Sequence, residues 1–286
     1  MTDDMTDDVT EDITMNGTFH AKLATSWVRS GSMLCVGLDP DPARLARPLD
    51  GAPDAIEKFC IAIVDATADL VCAFKPQIAH FSAHRAEGAL EAVCAHIREH
   101  YPDVPVLLDA KRGDIGSTAE FYAREAFGRY RADAVTYNPY LGTDAALPML
   151  EQGAVVAICR TSNPGSGELQ DLDVGGRPLY ERVAEMVATR WSQHGECGLV
   201  VGATWPEQLR SVRAIAGDLP ILVPGVGAQG GDVVASVAAG STGAGTGLLM
   251  STSRDVLYAS SGEDFADAAR AAALRTIDAI NAAPVA

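Results

Sequence analysis

The chain has 286 residues, 48% of them hydrophobic, and its 38 acidic and 22 basic residues give a formal charge of −16. That much apolar sequence can bury a large core, which excludes a disordered or collagen-like chain, and the negative field argues against binding to nucleic acid or anionic membranes. No apolar run reaches the roughly 18 residues of a membrane span, and none follows a basic N-terminus, so we expect a soluble protein without an export signal.

Residues 1–17 contain six acidic residues and no lysine or arginine. The segment has no apolar periodicity, which predicts a disordered acidic tail ahead of a folded domain at 18–286. Met15 is an alternative start site that the sequence leaves open.

From Phe19 onward, short β-rich runs alternate with amphipathic helical stretches. The first helical stretch, 20–29, would cap the bottom of a barrel. The predicted strands are 33–38, 72–76, 104–110, 134–138, 154–160, 198–202, 221–225 and 247–251. The predicted helices include 54–70, 85–99, 118–129, 179–193 and 264–281. This alternation predicts an α/β fold, a single (β/α)8 TIM barrel, with an open doubly wound sheet as the alternative.

Six cysteines lie inside apolar runs, and no C-x-x-C pair occurs among them. The spacing therefore does not support a zinc ribbon or a redox motif. An even number is compatible with disulfides, but buried free thiols are commoner for cysteines in core strands. We expect a reducing, cytoplasmic setting.

Polar residues follow nearly every predicted strand, which is where barrel enzymes place their chemistry. Helix caps and turns would account for only one or two of them, so the coincidence favours an enzyme. In chain order these residues are Asp39, Lys75, Asp109 with Lys111, Asn138, Ser162, Thr204, Gly225 with Gln229, and Ser253 with Arg254.

The most specific pattern is D-A-K-R-G-D at 109–114. Asp109 and Lys111 are two residues apart on a strand, so their side chains point to the same side. Together with Asp114 they would place two carboxylates around one ammonium group, each keeping its neighbour charged. Lys75 ends the neighbouring strand, and Asp109 is its natural partner. A structural salt bridge, or for Lys75 a side chain that reaches solvent, is the alternative.

Residues 225–230 read G-V-G-A-Q-G and formally match the dinucleotide-binding pattern G-x-G-x-x-G. The match follows the seventh strand, however, where barrels bind phosphate through backbone N–H groups. We therefore predict a single phosphate site formed by Gly225, Gly227, Gln229 and Arg254, whose guanidinium can bind phosphate through two N–H groups.

Two histidine patterns are only weak evidence for metal binding. Residues 96–100 match H-x-x-E-H, a metalloprotease pattern, but they end a helix on the rim opposite the strand ends. His80 and His84 could share a helical face, but no carboxylate ligand accompanies them. We interpret 96–100 as a solvated helix end and the other two as loop or cap residues, and we expect no metal.

Five ordered motifs resemble one family: G-L-D-P at 37–40, F-K-P-Q at 74–77, D-A-K-R-G-D at 109–114, T-S-N-P-G at 161–165 and P-G-V-G-A-Q-G at 224–230. From about residue 20 to its end the sequence resembles the orotidine 5'-phosphate decarboxylases, most closely the longer bacterial chains (type 2). The resemblance implies a TIM barrel that converts orotidine monophosphate to UMP in de novo pyrimidine biosynthesis, without metal or organic cofactor. It also implies a homodimer whose active sites are shared across the interface.

The resemblance also assigns roles to the charged residues. It places Lys75, Asp109, Lys111 and Asp114 in a catalytic tetrad, with Asp114 serving the partner's site. Lys111 would stabilise the carbanion that CO₂ leaves at C6 and then protonate it. Asp109 would lie near the departing carboxylate.

By the same resemblance, other residues would bind the substrate. Asp39 and Thr118 would contact the ribose, with Thr118 donated across the interface. Ser162 would contact the pyrimidine, and Gln229 and Arg254 the phosphate. The polar, glycine-containing segment 163–176 would form a lid.

Two alternatives remain open. A sister barrel acting on sugar phosphates shares the D-x-K-x-x-D pattern but uses Mg²⁺ held partly by an extra acidic residue, and Lys75 argues against a metal there. A catalytically silent phosphate-binding protein would require a broken tetrad, and all four residues are present.

Overall fold

The computed structural model describes residues 17–226 and 231–285. In these ranges the strands, β1 to β8, are Leu34–Leu38, Ala73–Pro76, Leu107–Arg112, Ala134–Tyr137, Ala154–Arg160, Cys197–Val201, Ile221–Pro224 and Leu248–Thr252. They form one parallel sheet in the order β2-β1-β8-β7-β6-β5-β4-β3. Single parallel bridges from Phe74 to Val106 and from Gln77 to Asp109 join the two outermost strands. The sheet therefore closes into the predicted TIM barrel.

Helices lie between the strands. In the described part of the chain, α1 to α12 are Phe19–Ser30, Ala55–Thr67, Ile78–Ser82, Glu87–His100, Gly116–Ala123, Thr143–Leu150, Gly167–Gln170, Leu179–Thr189, Pro206–Ala216, Val233–Gly240, Arg254–Leu257 and Phe265–Asn281. None of these helices is long and apolar enough to cross a membrane.

The core has two layers, as a parallel barrel requires. Strands such as β1 and β6 are buried along their whole length, because one face looks into the barrel and the other packs under helices. Small and medium side chains, such as Cys35, Ala73 and Leu107, fill the interior. Larger ones, such as Phe59, Phe81 and Trp191, pack between the strands and the surrounding helices.

Helix α1 caps the bottom of the barrel, as predicted. The Thr18 side chain accepts a hydrogen bond from the N–H of Ala21 and so begins the helix, while Gly31 ends it in the left-handed conformation. Leu23 packs into the interior cluster. The ammonium of Lys22 lies 2.6 Å from a carboxylate oxygen of Asp133, just before β4, and both side chains are buried. This buried pair fixes the helix against the open end of the strands.

Among the helices, the predicted stretch 118–129 differs most, because its α-helical part, α5, ends at Ala123 and a π-helix continues over Arg124–Arg129. The predicted strands agree with the observed ones to within a few residues, and among the strands β3 differs most. It was expected at 104–110 but runs from Leu107 to Arg112, since Pro105 has no N–H for a strand ladder. Residues 1–16 of the predicted acidic tail lie outside the described residues.

Candidate active site

A cavity of about 460 Å³ opens at the carboxyl ends of the strands. A larger cavity, about 670 Å³, lies at the opposite end of the barrel, and none of the predicted site residues lines it. The predicted site residues that line the cavity at the strand ends are Asp39, Lys75, Asp109, Lys111, Ser162, Gly225 and Arg254. The strand ends therefore bring most of the predicted residues together.

Four predicted residues are not among those that line this cavity. Asp114 follows β3, and one of its carboxylate oxygens accepts a hydrogen bond from the N–H of Ile115 at 2.8 Å. Thr118 is exposed on α5. Gly227 and Gln229 lie outside the described residues.

Four charged side chains, one directly after β1 and the others on β2 and β3, form an array of alternating charge. The two oxygens of Asp109 contact two different ammonium groups, that of Lys111 at 2.6 Å and that of Lys75 at 3.0 Å. Lys75 also lies 3.8 Å from a carboxylate oxygen of Asp39. The predicted contact between Lys75 and Asp109 is therefore present, and the order of charges is Asp39, Lys75, Asp109, Lys111.

The surroundings of the array keep its inner members charged. Burial alone would raise the pKa of Asp109, but the charges of Lys75 and Lys111 outweigh burial and hold that pKa well below its ordinary 3.8. Burial alone would lower the pKa of Lys75, but Asp39 and Asp109 raise it above its ordinary 10.5. Asp109 is therefore a carboxylate, and Lys75 an ammonium, throughout the neutral range.

Glycines allow the strand ends to approach one another. A Cβ at Gly202 would lie within 3.0 Å of backbone atoms of Ser162, so only glycine lets the end of β6 pass so close to that residue. Gly225 has a φ of 91°, a backbone conformation that residues other than glycine rarely adopt. The N–H of Gly231 bonds back to the carbonyl of Gly225 at 3.1 Å. This bond joins the described residues on the two sides of 227–230, which lie outside the described residues.

Arg160 anchors the segment that follows β5. Its buried guanidinium donates to the hydroxyl of Ser166, to the amide oxygen of Gln170 at 3.3 Å and to a carboxylate oxygen of Asp171 at 2.9 Å. It also lies over the indole ring of Trp205, 4.2 Å from the centroid. The segment expected to be a lid is thus fixed near its start to the end of the barrel.

Tyr258 fixes the backbone beside Asp39. Its hydroxyl donates to the carbonyl of Asp39 at 3.0 Å and accepts from the N–H of Asp41 at 2.8 Å. Burial raises the pKa of Tyr258 to about 12, so the phenol remains a donor at neutral pH. The helix that begins at Arg254 is therefore joined to the loop that carries Asp39.

Sequence reasoning missed two residues that line the cavity, Thr136 and His80. It also missed two residues that hold neighbouring segments in place, Arg160 and Tyr258. Thr136 and Arg160 carried a signal, because each is a polar residue within or at the end of an otherwise apolar strand. Tyr258 carried none, since its partners are more than 200 residues away.

The two histidines of the H-x-x-E-H pattern at 96–100 contact other side chains of the protein. The ring of His96 contacts a carboxylate oxygen of Asp65 at 2.6 Å and stacks on His100, with 4.3 Å between centroids. Among the described residues, no group of three or more His, Cys, Asp or Glu side chains is placed to hold a metal ion.

The fold and the site define a TIM-barrel enzyme whose charged residues converge at the carboxyl ends of the strands. Residues 32–279 match the model of the orotidine 5'-phosphate decarboxylase / HUMPS family. The chain belongs to this family. Decarboxylation of orotidine 5'-phosphate to UMP, a step of pyrimidine biosynthesis, is the function of the decarboxylases in it, and the chain is a carboxy-lyase of that kind.

Individual members of the family are similar in sequence to this chain over nearly its whole length. An orotidine 5'-phosphate decarboxylase of Azoarcus sp. (strain BH72) is 62% identical over 266 residues, which cover 92% of this chain and 98% of the relative. One of Dechloromonas aromatica is 59% identical with the same coverage. The solved structure of Leishmania donovani OMP decarboxylase is 39% identical, with a TM-score of 0.80, 93% of this chain covered and 98% of that one.

Proposed function

We propose that orotidine 5'-phosphate binds in the cavity at the strand ends and is decarboxylated there to UMP, and that Lys111 provides the proton. The observation that carries this proposal is the position of Lys111 in the charged array. Its ammonium is held at 2.6 Å by the buried Asp109, yet half of its side chain remains exposed to the cavity. An ammonium that is fixed but accessible suits a group that must meet negative charge as it develops on a substrate.

The reaction needs one bond broken and one formed. The bond from C6 to the carboxylate carbon breaks, CO₂ leaves, and the electron pair remains on C6, where the ring delocalises it poorly. The ammonium of Lys111 stabilises that pair and transfers a proton to it, which gives UMP and a neutral amine. Solvent then reprotonates the amine.

Asp109 has two roles in this proposal. Because its oxygens bind both lysines, it fixes the positions of both ammonium groups. Its charge also lies close to the departing carboxylate and disfavours the bound ground state. Lys75 prevents Asp109 from taking up a proton, since it holds the pKa of that carboxyl down.

The substrate is an anion, and the described cavity suits one. Its lysine, arginine and carboxylate side chains leave one excess positive charge in a chain whose formal charge is −16. We assign the phosphate to Arg254 and Gly225, together with Gly227 and Gln229, the ribose to Asp39, and the pyrimidine to Ser162. Phosphate binding lies away from C6, so its energy is available for ordering the site.

We also propose a homodimer with shared active sites. Asp114 and Thr118 are not among the residues that line the cavity of their own chain. Beside them, Ile115 and Phe121 are 61% and 62% exposed, and Tyr140 is exposed as well. Large apolar side chains that are exposed on one chain are typical of a surface that a protein interface covers. Such an interface would deliver Asp114 and Thr118 to the partner's cavity.

No metal is expected in this reaction. Both oxygens of Asp109 already contact ammonium groups, so this carboxylate fits a cation-binding role poorly. The sister barrels that act on sugar phosphates with Mg²⁺ are the alternative. High identity to relatives named as decarboxylases, 58–62% in the bacterial chains, favours orotidine 5'-phosphate.

We also propose that the protein resides in a reducing, cytoplasmic compartment. All six cysteines are buried and free of disulfides. Free buried thiols are the usual state in a reducing environment.

The test is a spectrophotometric assay of orotidine 5'-phosphate decarboxylation by the purified chain, with and without EDTA. We expect turnover that EDTA leaves unchanged. Absence of turnover would contradict the substrate assignment. Turnover that EDTA abolishes and Mg²⁺ restores would contradict the metal-free mechanism and favour the chemistry of the sister barrels.

A further inference from the structure

The ladder between β3 and β4 is interrupted at the charged array. Leu108 pairs with Val135, and the next paired residues are Arg112 and Tyr137. Residues 109–111 therefore lie opposite Thr136 alone, which makes an enlarged bulge. Within the bulge Lys111 has a φ of 48°, in the left-handed region that residues other than glycine rarely occupy.

The hydroxyl of Thr136 fills the gap that the bulge leaves. It accepts hydrogen bonds from the N–H groups of Ala110 and Lys111, both at 3.0 Å. It also lies 2.9 Å from the carboxylate oxygen of Asp109 that binds Lys111. Thr136 is only 1% exposed, so water does not readily replace these bonds.

The direction of each hydrogen bond follows from the inventory of donors. A hydroxyl has one hydrogen and two lone pairs, and a backbone N–H can only donate. Because the Thr136 oxygen accepts twice, its single hydrogen must point to Asp109. The hydroxyl is thereby saturated, and it fixes a carboxylate and the backbone of Lys111 at the same time.

We propose that Thr136 is a positioning residue for proton transfer, holding Asp109 and the strained backbone of Lys111 so that the Lys111 ammonium is aimed into the cavity. The inference rests on the proposed role of Lys111. Thr136 acts through Asp109 and Lys111. Removing its hydroxyl leaves two N–H groups without their partner and frees the carboxylate to rotate, which displaces the ammonium.

The experiment compares Thr136→Val, which keeps the shape and removes the hydroxyl, with Thr136→Ser, which keeps the hydroxyl. The matched control is Thr67→Val, because Thr67 is equally buried but its hydroxyl donates to the carbonyl of Ile63 within α2. We expect kcat of Thr136→Val to fall on the order of 10²-fold, the effect of about 1 Å of misplacement. KM should stay within about threefold, since the phosphate and ribose contacts are untouched.

Thr136→Ser and Thr67→Val should each keep kcat within about threefold of the original chain. Both variants retain a hydroxyl at residue 136, and with it the hydrogen bonds to Ala110, Lys111 and Asp109. A folded Thr136→Val with unchanged kcat would overturn the proposal. If Thr136→Val does not fold, Thr136→Ala and Thr136→Ser supply the same contrast, since both lose the methyl group and only serine retains the hydroxyl. Equal kcat in that pair would overturn it as well.

The activity of the unsubstituted chain distinguishes a failure of this proposal from a failure of the proposed function. If that chain does not decarboxylate orotidine 5'-phosphate, the function fails before any variant is compared. If it does, and Thr136→Val turns over equally fast, only the positioning role fails.

Discussion

Lys111 and Asp109 form a 2.6 Å ion pair whose two side chains differ sharply in exposure. The side chain of Asp109 is 10% exposed and that of Lys111 is 50% exposed. The carboxylate is therefore the buried anchor, and the ammonium is the end that can meet a ligand. Asp109 also keeps Lys75 beside the cavity, so one carboxylate organises both cations.

The depressed pKa of Asp109 predicts how stability depends on pH. A carboxyl whose pKa is lower in the folded state stabilises the fold above its unfolded pKa, and this contribution is lost as pH falls through that value toward the folded one. We expect Asp109→Asn to be less stable than the original chain at pH 7, with a difference that shrinks below about pH 4. Urea unfolding at pH 7, 4 and 3, followed by tryptophan fluorescence, measures it.

The control is Asp278→Asn, because Asp278 is exposed on α12. Its stability should follow that of the original chain across the same pH range. A difference between Asp109→Asn and the original chain that stays constant down to pH 3 would contradict the lowered pKa.

Arg160 is expected to matter for the segment after β5. Arg160→Met keeps an apolar stem over Trp205 but removes the donors to Gln170 and Asp171. Loss of charged hydrogen bonds from a buried guanidinium should cost about 1–3 kcal/mol. Limited proteolysis should cut residues 161–178 faster, and KM for the substrate should rise because Ser162 loses its support.

Arg177→Met is the matched control for this prediction. Arg177 lies on the same segment, but its ion pairs with Glu181 and Glu185 are partly exposed, and exposed ion pairs contribute little to stability. Equal proteolysis of the two variants would show that Arg160 does not anchor the segment.

The barrel was predictable from the sequence because its signals are local and periodic. Each strand is a short apolar run, and each strand end carries a polar residue, so Lys75 and Asp109 could be paired before their contact was seen. The bulge around Lys111 was not predictable, because an alternating pattern implies a regular strand. The same holds for Tyr258, which binds Asp39 through a contact that only the closed barrel creates.

The homodimer with shared active sites that we propose predicts that two inactive variants restore each other. Asp114→Ala and Lys111→Ala should each be nearly inactive alone. After mixing, mild denaturation and refolding, unbiased exchange makes about half of the dimers heterodimers. Each heterodimer has one site with both lesions and one with neither, so activity should return to about a quarter of that of the original chain.

The readout is specific activity, with exchange confirmed by native mass spectrometry of tagged subunits. No recovery despite confirmed heterodimers would mean that Asp114 acts within its own chain. The independent control is Asp109→Ala mixed with Lys111→Ala. Asp109 and Lys111 line the same cavity, so these lesions leave every heterodimer site defective and recovery is not expected.

The most direct test of the account is the turnover of Lys111→Ala beside Lys58→Ala. Lys58 is one of the four lysines but lies exposed on α2, paired with Asp54. Lys58→Ala should decarboxylate orotidine 5'-phosphate at the original rate. Lys111→Ala should remain folded and lose at least the 10²-fold or so that a general acid typically contributes. A folded Lys111→Ala that retains more than a few per cent of the original kcat would show that another group protonates C6.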